Sequence, residues 1–420
     1  MTDLIYFFAQ MLGSDFFTQA IVFTLLGIAA GVFTGLAPGI HVNMVAAVLL
    51  GFAGLANPIC LAVMLIAVAI THTFWDFIPS IFLGMPDPET ALSVLPGHKL
   101  LMEGRGLEAI YLTTIGGVGV MLASALLLPL LIVAVPWLYA QITAYIPHIL
   151  IAIAVSMVLT EPGYRKKAWA SLCFGLSGLL GVIVLGSAML KPQASFFPMF
   201  TGLFGVSTLL LSLNAGAKMT EQIKQLPHVR SRLAVSGISK ALFSGVLVGT
   251  LPGLGEAQAT TLTQQITRKR DHEEFLVSSG GINTAVALFS LISLYTISKA
   301  RSGAAVAVEQ MIGSFGINEL IMLLGVALAA AGISSLLLLR TMRSAARLLQ
   351  RANYRLMTMS ILALLIIAVA VFMQAPGLLI LFASTSTGLL APLAGVRRST
   401  LMGCLLVPTI LIYLGINLSI

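Results

Sequence analysis

The chain has 420 residues, of which 58% are hydrophobic and only 9% charged, and its mean hydropathy is +1.02. Apolar runs long enough to cross a bilayer recur from end to end, which argues against a soluble protein and predicts a polytopic integral membrane protein. The net charge of +8 does not indicate nucleic-acid binding, because the lysines and arginines cluster in short loops beside apolar runs, as expected of cytoplasmic loops.

The apolar runs predict an all-α fold. They are continuous and rich in Leu, Ala, Val and Ile, without the alternation of a membrane β-barrel, and spanning segments must satisfy their own backbone hydrogen bonds. Cys60, Cys173 and Cys404 stand singly in apolar runs, with no metal-ligand spacing, so we expect packing residues and no metal site.

A polar break interrupts the first apolar run. Residues 31–43 read GVFTGLAPGIHVN, with a Pro-Gly pair followed by His41 and Asn43. Pro-Gly turns the chain and frees backbone groups that lipid cannot satisfy, so we expect the tip of a helical hairpin at membrane depth, where helix ends and unwound carbonyls can bind ions. Residues 17–36 are also long enough to span alone, which would leave the motif at the surface.

The next crossing contains THTFWDF, which puts His72 and Asp76 one helical turn apart on the same face. Such a pair can relay a proton or hold a cation, and we assign it as the candidate ion-coupling pair. The alternative is a buried His and Asp pair that is satisfied by its neighbours and has only a structural role.

The polar break is repeated. Residues 245–257 read GVLVGTLPGLGEA and share G-V-x-x-G-x-x-P-G with the first motif, with Pro38 and Pro252 lying 214 residues apart. The same offset carries Pro86 to Ala300, a second polar break. The shared register predicts an ancient duplication. The candidate substrate-binding residues at the two tips are Thr34, Pro38, Gly39, His41, Asn43, Pro252, Gly253, Glu256 and Gln258.

The charges predict that the two copies are inverted. Residues 1–98 contain no Lys or Arg, whereas the second motif has basic residues on both sides. About five crossings follow each hairpin, an odd number that inverts the next copy: 58–84, 107–135, 136–160, 168–190 and 198–216, then 275–298, 317–339, 356–373, 376–392 and 399–418. We predict halves of 1–216 and 217–420, with the two tips meeting at mid-membrane. Lys191, Lys299 and Arg301 are exceptions to the charge rule.

Two further stretches could take part in a site. SGGINTA at 279–285 carries Asn283, a candidate substrate-binding residue, and we expect a break or kink that lines a cavity. Lys299 and Arg301 could neutralise a carboxylate or could be ordinary charges of an outer loop.

At these motifs the sequence resembles the membrane permease of tripartite tricarboxylate transporters, the TctA-type family. The resemblance covers most of the chain and includes GLAPGI, LGMPDPETALSVLPGHKLLMEGRGLEA, FPMFTGLFGVSTLL and VGTLPGLGEAQAT. The chain departs from the family pattern at Asp87, which replaces a glycine, and at 96–99, where PGHK replaces Asp-Gly-Tyr-Pro. The resemblance implies cation-coupled uptake of a carboxylate, with a periplasmic binding protein and a small membrane subunit as partners.

We therefore expect a secondary transporter in the cytoplasmic membrane that moves a di- or tricarboxylate-like anion with Na⁺ or H⁺ as coupling ion and no other cofactor. No Gly-x-Ser-x-Gly, His-Glu-x-x-His or P-loop motif occurs in the sequence, so no enzyme is predicted. The alternative is a translocase for an anionic lipid carrier such as a polyprenyl phosphate, which paired tips and Arg397 with Arg398 would also suit.

The amides beside the tips provide the first test. Asn43 and Gln258 each lie about one turn beyond a Pro-Gly pair, where an amide can point back at the tip. Replacing either by alanine should weaken the apparent affinity for substrate or coupling ion in an uptake assay. Alanine at Cys60, Cys173 or Cys404 should leave the transport kinetics nearly unchanged, and equal kinetics in both sets would show that the tips are structural turns.

Overall fold

The computed structural model describes residues 15–37, 42–51, 56–83, 94–187, 189–190, 192–213, 229–252, 256, 259–260, 263, 271–351 and 354–416. Every regular element within these ranges is helical, and none of them contains a strand. The predicted all-α fold is confirmed.

The α-helices are labelled in chain order. They are α1 (Asp15–Leu36), α2 (Val42–Gly51), α3 (Pro58–Trp75), α4 (Phe77–Leu83), α5 (Val94–Met102), α6 (Gly106–Leu126), α7 (Leu128–Ile142), α8 (Ile146–Leu159), α9 (Tyr164–Gly186), α10 (Pro192–Phe200), α11 (Ser207–Ser212), α12 (Ser231–Thr250), α13 (His272–Ile297), α14 (Gly303–Ile312), α15 (Ile317–Arg351), α16 (Tyr354–Leu393) and α17 (Gly403–Tyr413). Short 3₁₀ segments cover Thr143–Tyr145 and Arg398–Met402, and a π-helix covers Thr201–Val206.

The described ranges contain nine helices that are long and apolar enough to cross a membrane, judged by length and composition. The chain is therefore a multi-pass membrane protein. The predicted crossings 356–373 and 376–392 form α16, and its backbone leaves the helical conformation between them, at Gln374 (φ 52°, ψ −151°).

The chain forms two compact units. The first contains Met1–Trp137, Met219–Thr250 and Ala259–Gln350, and the second contains Leu138–Lys218, Leu251–Gln258 and Arg351–Ile420. The predicted repeat boundary near residue 216 remains a prediction.

In the first unit, α1 packs on α3 through a row of small residues. A side chain added at Gly27, Gly31 or Gly35 would meet α3 within 3 Å. The facing atoms belong in turn to Ala67, Thr71 and Trp75, so the contacts advance in step along both helices. The two helices therefore run parallel, with their backbones close together, as small residues at helix interfaces permit.

The second motif repeats this packing in α12 and α13. Along α12, Gly237, Gly245 and Gly249 face residues 40 positions later in the chain, which is the separation seen between α1 and α3: Val277, Ala285 and Phe289. The helix starts agree as well. Asn57 caps α3 and Asp271 caps α13, 214 residues apart, and each side chain accepts a hydrogen bond from the backbone N–H two residues later. The register of the predicted duplication thus recurs in the contacts.

The helix breaks predicted at the two motifs are confirmed. The first arm ends at Leu36 and α2 begins at Val42, and the second arm ends at Thr250. Because α1 and α3 run parallel, residues 37–57 must carry the chain back, as a hairpin requires, and residues 251–271 do the same before α13. The turns themselves, with Pro38, Gly39, His41, Gly253, Gln258 and the side chain of Asn43, lie outside the described residues.

Both arms end short of the helices they pack against. Gly35 lies level with Trp75, eight residues before the end of α4, and Gly249 lies level with Phe289, eight residues before the end of α13. At 1.5 Å per residue, each motif therefore begins about 12 Å inside the end of its crossing helix. The meeting of the two tips remains a prediction.

A further close contact joins α6 to α13. A Cβ added to Gly116 would lie 1.9 Å from the carbonyl oxygen of Val277, and one added to Gly280 would lie 2.1 Å from that of Thr113. The expectation that residues 279–285 break or kink their helix was wrong about a break, because α13 is continuous from His272 to Ile297. The glycines in this stretch let two helix backbones touch.

In the second unit, glycines also allow close packing. Gly181 of α9 faces the carbonyl of Cys404 on α17, and Gly388 of α16 faces the backbone of Leu203 in the π-helix. Cys60, Cys173 and Cys404 are all buried free thiols, as expected of packing residues.

Gly116 offers a direct test of this packing. Gly116→Ala would force α6 from the Val277 carbonyl and should destabilise the protein by about 1–3 kcal/mol, the usual cost of overpacking. The matched control is Gly325→Ala in α15, where an added Cβ meets nothing within 4 Å. Thermal unfolding of the purified protein in detergent should show a lower midpoint for the first variant only, and equal midpoints would contradict the close contact.

Candidate functional site

A cluster of buried polar side chains lies in the first unit, where α1, α3 and α13 meet. We call it the buried polar cluster, and its members are Thr34, His72, Thr73, Asp76, Asn283 and Thr284. Each of the six side chains is 5% exposed or less. Buried polar groups in an apolar protein are costly unless they are bonded to one another, and such groups in membrane helices commonly mark a site.

Hydrogen bonds within the buried polar cluster join all three helices. The amide of Asn283 donates to Asp76 Oδ2 at 2.7 Å. Nδ1 of His72 lies 3.1 Å from the hydroxyl of Thr34 on α1. The hydroxyls of Thr73 and Thr284 lie 3.1 Å apart. The cluster therefore connects α1 and α3 of the first repeat with α13 of the second.

Asp76 lies directly beside the first motif. It is the residue after α3, and its backbone N–H donates to the carbonyl of His72. A Cβ added to Gly35 would lie 3.1 Å from the backbone nitrogen of Asp76. Gly35 is two residues before the last described residue of the first arm, so the acidic side chain follows a turn that packs against the tip.

Small residues let α13 reach this cluster. A Cβ on Gly117 of α6 would lie 2.9 Å from the hydroxyl of Thr284 and 2.8 Å from the ring of Phe74. A larger residue here would push Thr284 and α3 apart. The packing of α6 thus places Asn283 next to Asp76.

Several predicted residues are brought together, and others lie elsewhere. Thr34, His72, Asp76 and Asn283 share the buried polar cluster, although they come from three separate stretches of sequence. Glu256 is buried and Pro252 half-buried, and both belong to the second unit. Nothing in the structure tests the role of these residues in transport, so the roles remain predictions.

The sequence analysis missed other groups around the cluster. The indole of Trp75 donates to the hydroxyl of Ser334 at 3.1 Å, which ties α3 to α15. Thr71, Ser80 and Ser278 have buried hydroxyls without a hydrogen-bond partner among the described residues. Thr71, Thr73 and Trp75 surround His72 in the quoted stretch, so their proximity could have been noticed, whereas Ser334 stands in an apolar run without any signal.

The second motif is held by a different set of groups. The carbonyl of Gly249 accepts hydrogen bonds from Ser293 Oγ at 2.8 Å and from Arg301 Nε at 3.1 Å. The carbonyl of Thr250 accepts from Arg301 Nη2 at 2.9 Å. Arg301 therefore contacts the end of α12 and is not an ordinary charge of an outer loop.

Charged residues surround the start of α13. The guanidinium of Arg105 donates through Nε to Glu108 at 2.7 Å and lies 3.7 Å from Glu273. The hydrogen bond to Glu108 raises the pKa of Arg105 above its usual value, so the residue stays charged. Lys240 on α12 forms a largely buried ion pair of 2.8 Å with Glu274. These contacts place the starts of α6, α12 and α13 at one end of the unit.

The structure and site thus define a class: a multi-pass helical membrane protein with paired helix breaks and a buried polar cluster beside one of them. The family model described as the Tripartite tricarboxylate transporter TctA family matches residues 21–403, and the chain belongs to this family.

The chain is also similar to a protein of Methanocaldococcus jannaschii that bears the name "Uncharacterized protein MJ1079". The two are 32% identical over 405 residues, which cover 94% of this chain and 99% of that protein. No solved structure matches the chain.

Asn283 tests the cluster itself. Asn283→Ala removes the 2.7 Å donor to the Asp76 carboxylate and should cost about 1–3 kcal/mol of stability, because a buried acceptor loses a partner. The control is Thr296→Ala on the same helix, whose hydroxyl bonds the carbonyl of Ile292 one turn away. Thermal unfolding in detergent should separate the two variants, and an equal loss in both would mean that the bond to Asp76 contributes nothing special.

Proposed function

We propose that this chain is the permease of a secondary active transporter, which moves a small di- or tricarboxylate-like anion across the cytoplasmic membrane with Na⁺ or H⁺. The observation that carries the proposal is the buried Asp76 carboxylate, bonded by Asn283 and packed beside the first motif. Membership of the TctA family supports a permease of the tripartite type.

A buried carboxylate in a membrane helix is suited to ion coupling. An isolated charge is expensive in a low-dielectric interior, so Asp76 gains from taking up a cation or a proton. The oxygen atoms of Asp76, Thr73 and Thr284 are ligands of the kind that Na⁺ accepts, and His72 lies one turn from Asp76 as a second group able to carry a proton. Occupancy by the ion would thus change the charge of the helix junction.

Energetics require such an ion for uptake of an anion. Entry against an inside-negative potential is opposed by about 2.3 kcal/mol per charge per 100 mV. A co-transported cation offsets this cost because its own entry is driven by the same potential. The absence of an ATP-binding P-loop in the sequence agrees with coupling to an ion gradient.

The inverted repeat supplies a mechanism for alternating access. The two parallel helix pairs, α1 with α3 and α12 with α13, share one packing register and meet at the buried polar cluster. In transporters built from inverted repeats, one repeat rocks against the other around a fixed site. We propose that the bond between Asn283 and Asp76 lies at this junction and responds to the bound ion.

Partners follow from the family. TctA permeases work in tripartite systems with a binding protein and a small membrane subunit. We propose that this chain receives its anion from an extracytoplasmic binding protein and is accompanied by such a small subunit. We propose no enzymatic activity.

The coupling role of Asp76 can be measured. Asp76→Asn removes the charge that a cation or proton would neutralise, so uphill uptake into proteoliposomes should fall at least about tenfold, while counterflow, which needs no gradient, persists. The matched control is Glu319→Gln, which alters a carboxylate bonded to the backbone of Gly316 at the start of α15.

Two outcomes would contradict this function. Uphill uptake in the Asp76 variant equal to that of the unchanged protein would remove Asp76 from coupling. Accumulation that persists after collapse of both the Na⁺ and the H⁺ gradients would exclude a secondary transporter. Transport of a polyprenyl phosphate, with no transport of soluble carboxylates, would favour the lipid translocase instead.

A further inference from the structure

Arg301 lies below the end of the helix it follows. The chain reverses after α13 through Ser298, which adopts the left-handed conformation (φ 52°, ψ 41°). The backbone N–H of Arg301 then donates to the hydroxyl of Ser290 at 3.0 Å. Ser290 is seven residues before Ile297, so this contact lies about 10 Å inside the end of α13. An arginine at such depth in a membrane protein is costly and is by default a functional group.

The guanidinium holds the end of the second arm. Gly249 and Thr250 are the last residues of α12, and the last carbonyls of a helix lack intrahelical partners and carry the negative end of its dipole. Arg301 donates from two nitrogens to these two carbonyls. Its rigid fork suits this geometry better than a lysine would. Arg301 thereby places a positive charge two residues before Pro252.

The two tips differ in charge although their packing is the same. Ser290, which positions Arg301, occupies the place in the second repeat that Asp76 occupies in the first, 214 residues earlier. Gly35 packs beside Asp76, whereas Gly249 is bonded by Arg301. The first tip is therefore flanked by a carboxylate and the second by a guanidinium. The shared helix packing does not require this difference.

The charge pattern of the sequence points the same way. In the predicted topology, Lys299 and Arg301 lie on the outer side, against the usual excess of basic residues inside. Lys299 is exposed, while Arg301 is half-buried and bonded. Topology gives no reason for a cation in this position, but an anion arriving from outside does.

We propose that the second tip recognises the carboxylate of the substrate and that Arg301 determines this anion specificity, by its charge and by holding Gly249 and Thr250 in place. The first tip, with Asp76, then serves the coupling cation. This inference rests on the proposed function and names the end of the site that reads the substrate.

The test compares two neutralised cations in the full chain, reconstituted with its partner subunits. Radiolabelled succinate and citrate are the probes, and Lys299→Gln is the matched control for Arg301→Gln, since both remove one positive charge from the same loop. Arg301→Gln should raise the apparent KM for the transported probe about tenfold or more, as expected when a charged hydrogen-bonding group is lost. The apparent affinity for the coupling ion should stay unchanged, and Lys299→Gln should change neither.

Two further variants cover failure of Arg301→Gln to insert. Arg301→Lys keeps the charge but loses the fork, so its KM should rise less than that of the glutamine variant, and Ser290→Ala removes the bond that positions Arg301 and should also raise KM. A KM equal to that of the unchanged protein in both would overturn the inference, as would equal effects of Arg301→Gln and Lys299→Gln. Transport of neither probe by the unchanged protein would overturn the proposed function, and the inference with it.

Discussion

Close contact between helix backbones at glycines is the constraint on which the first unit depends. In a membrane, helices gain little from burying apolar side chains, because lipid is equally apolar, so association relies on tight packing and on polar contacts. Gly116 and Gly280 let α6 and α13 touch, and Gly31 does the same for α1 and α3. Only at this separation can a short side chain such as Asn283 reach Asp76.

The duplication preserved this packing and changed the chemistry around it. The glycine positions are restricted because any side chain there meets a neighbouring backbone, so both copies keep them. Positions beside the glycines carry no such restriction. Asp76 and Ser290 show the result, since equivalent places in the two repeats hold an acid in one and the anchor of an arginine in the other.

One helix contacts every polar feature of the first unit. At its start, α13 carries Glu273 and Glu274 within the charged contacts, and Asn283 in its middle joins the buried polar cluster. Near its end, Ser290 and Ser293 hold the second tip and its arginine. A shift of α13 against α3 would alter all three levels together, which makes it the element best placed to couple events at the two faces of the membrane.

The sequence alone determined the membrane class, the helical fold and the places where helices break, because hydropathy, run length and Pro-Gly pairs act locally. It also revealed the repeat register, since a shared motif at a constant offset is visible without coordinates. His72 and Asp76 were recognised for the same local reason, as two polar residues one helical turn apart in an apolar run.

Only the tertiary structure decided which of these residues meet. The Asn283 amide lies 207 residues from Asp76 in the chain, and Arg301 folds back to carbonyls about 50 residues earlier, so no local pattern encodes either contact. The glycines of 279–285 suggested a broken helix, yet they serve close packing, because glycine permits both outcomes and the choice depends on whether a second backbone lies against it.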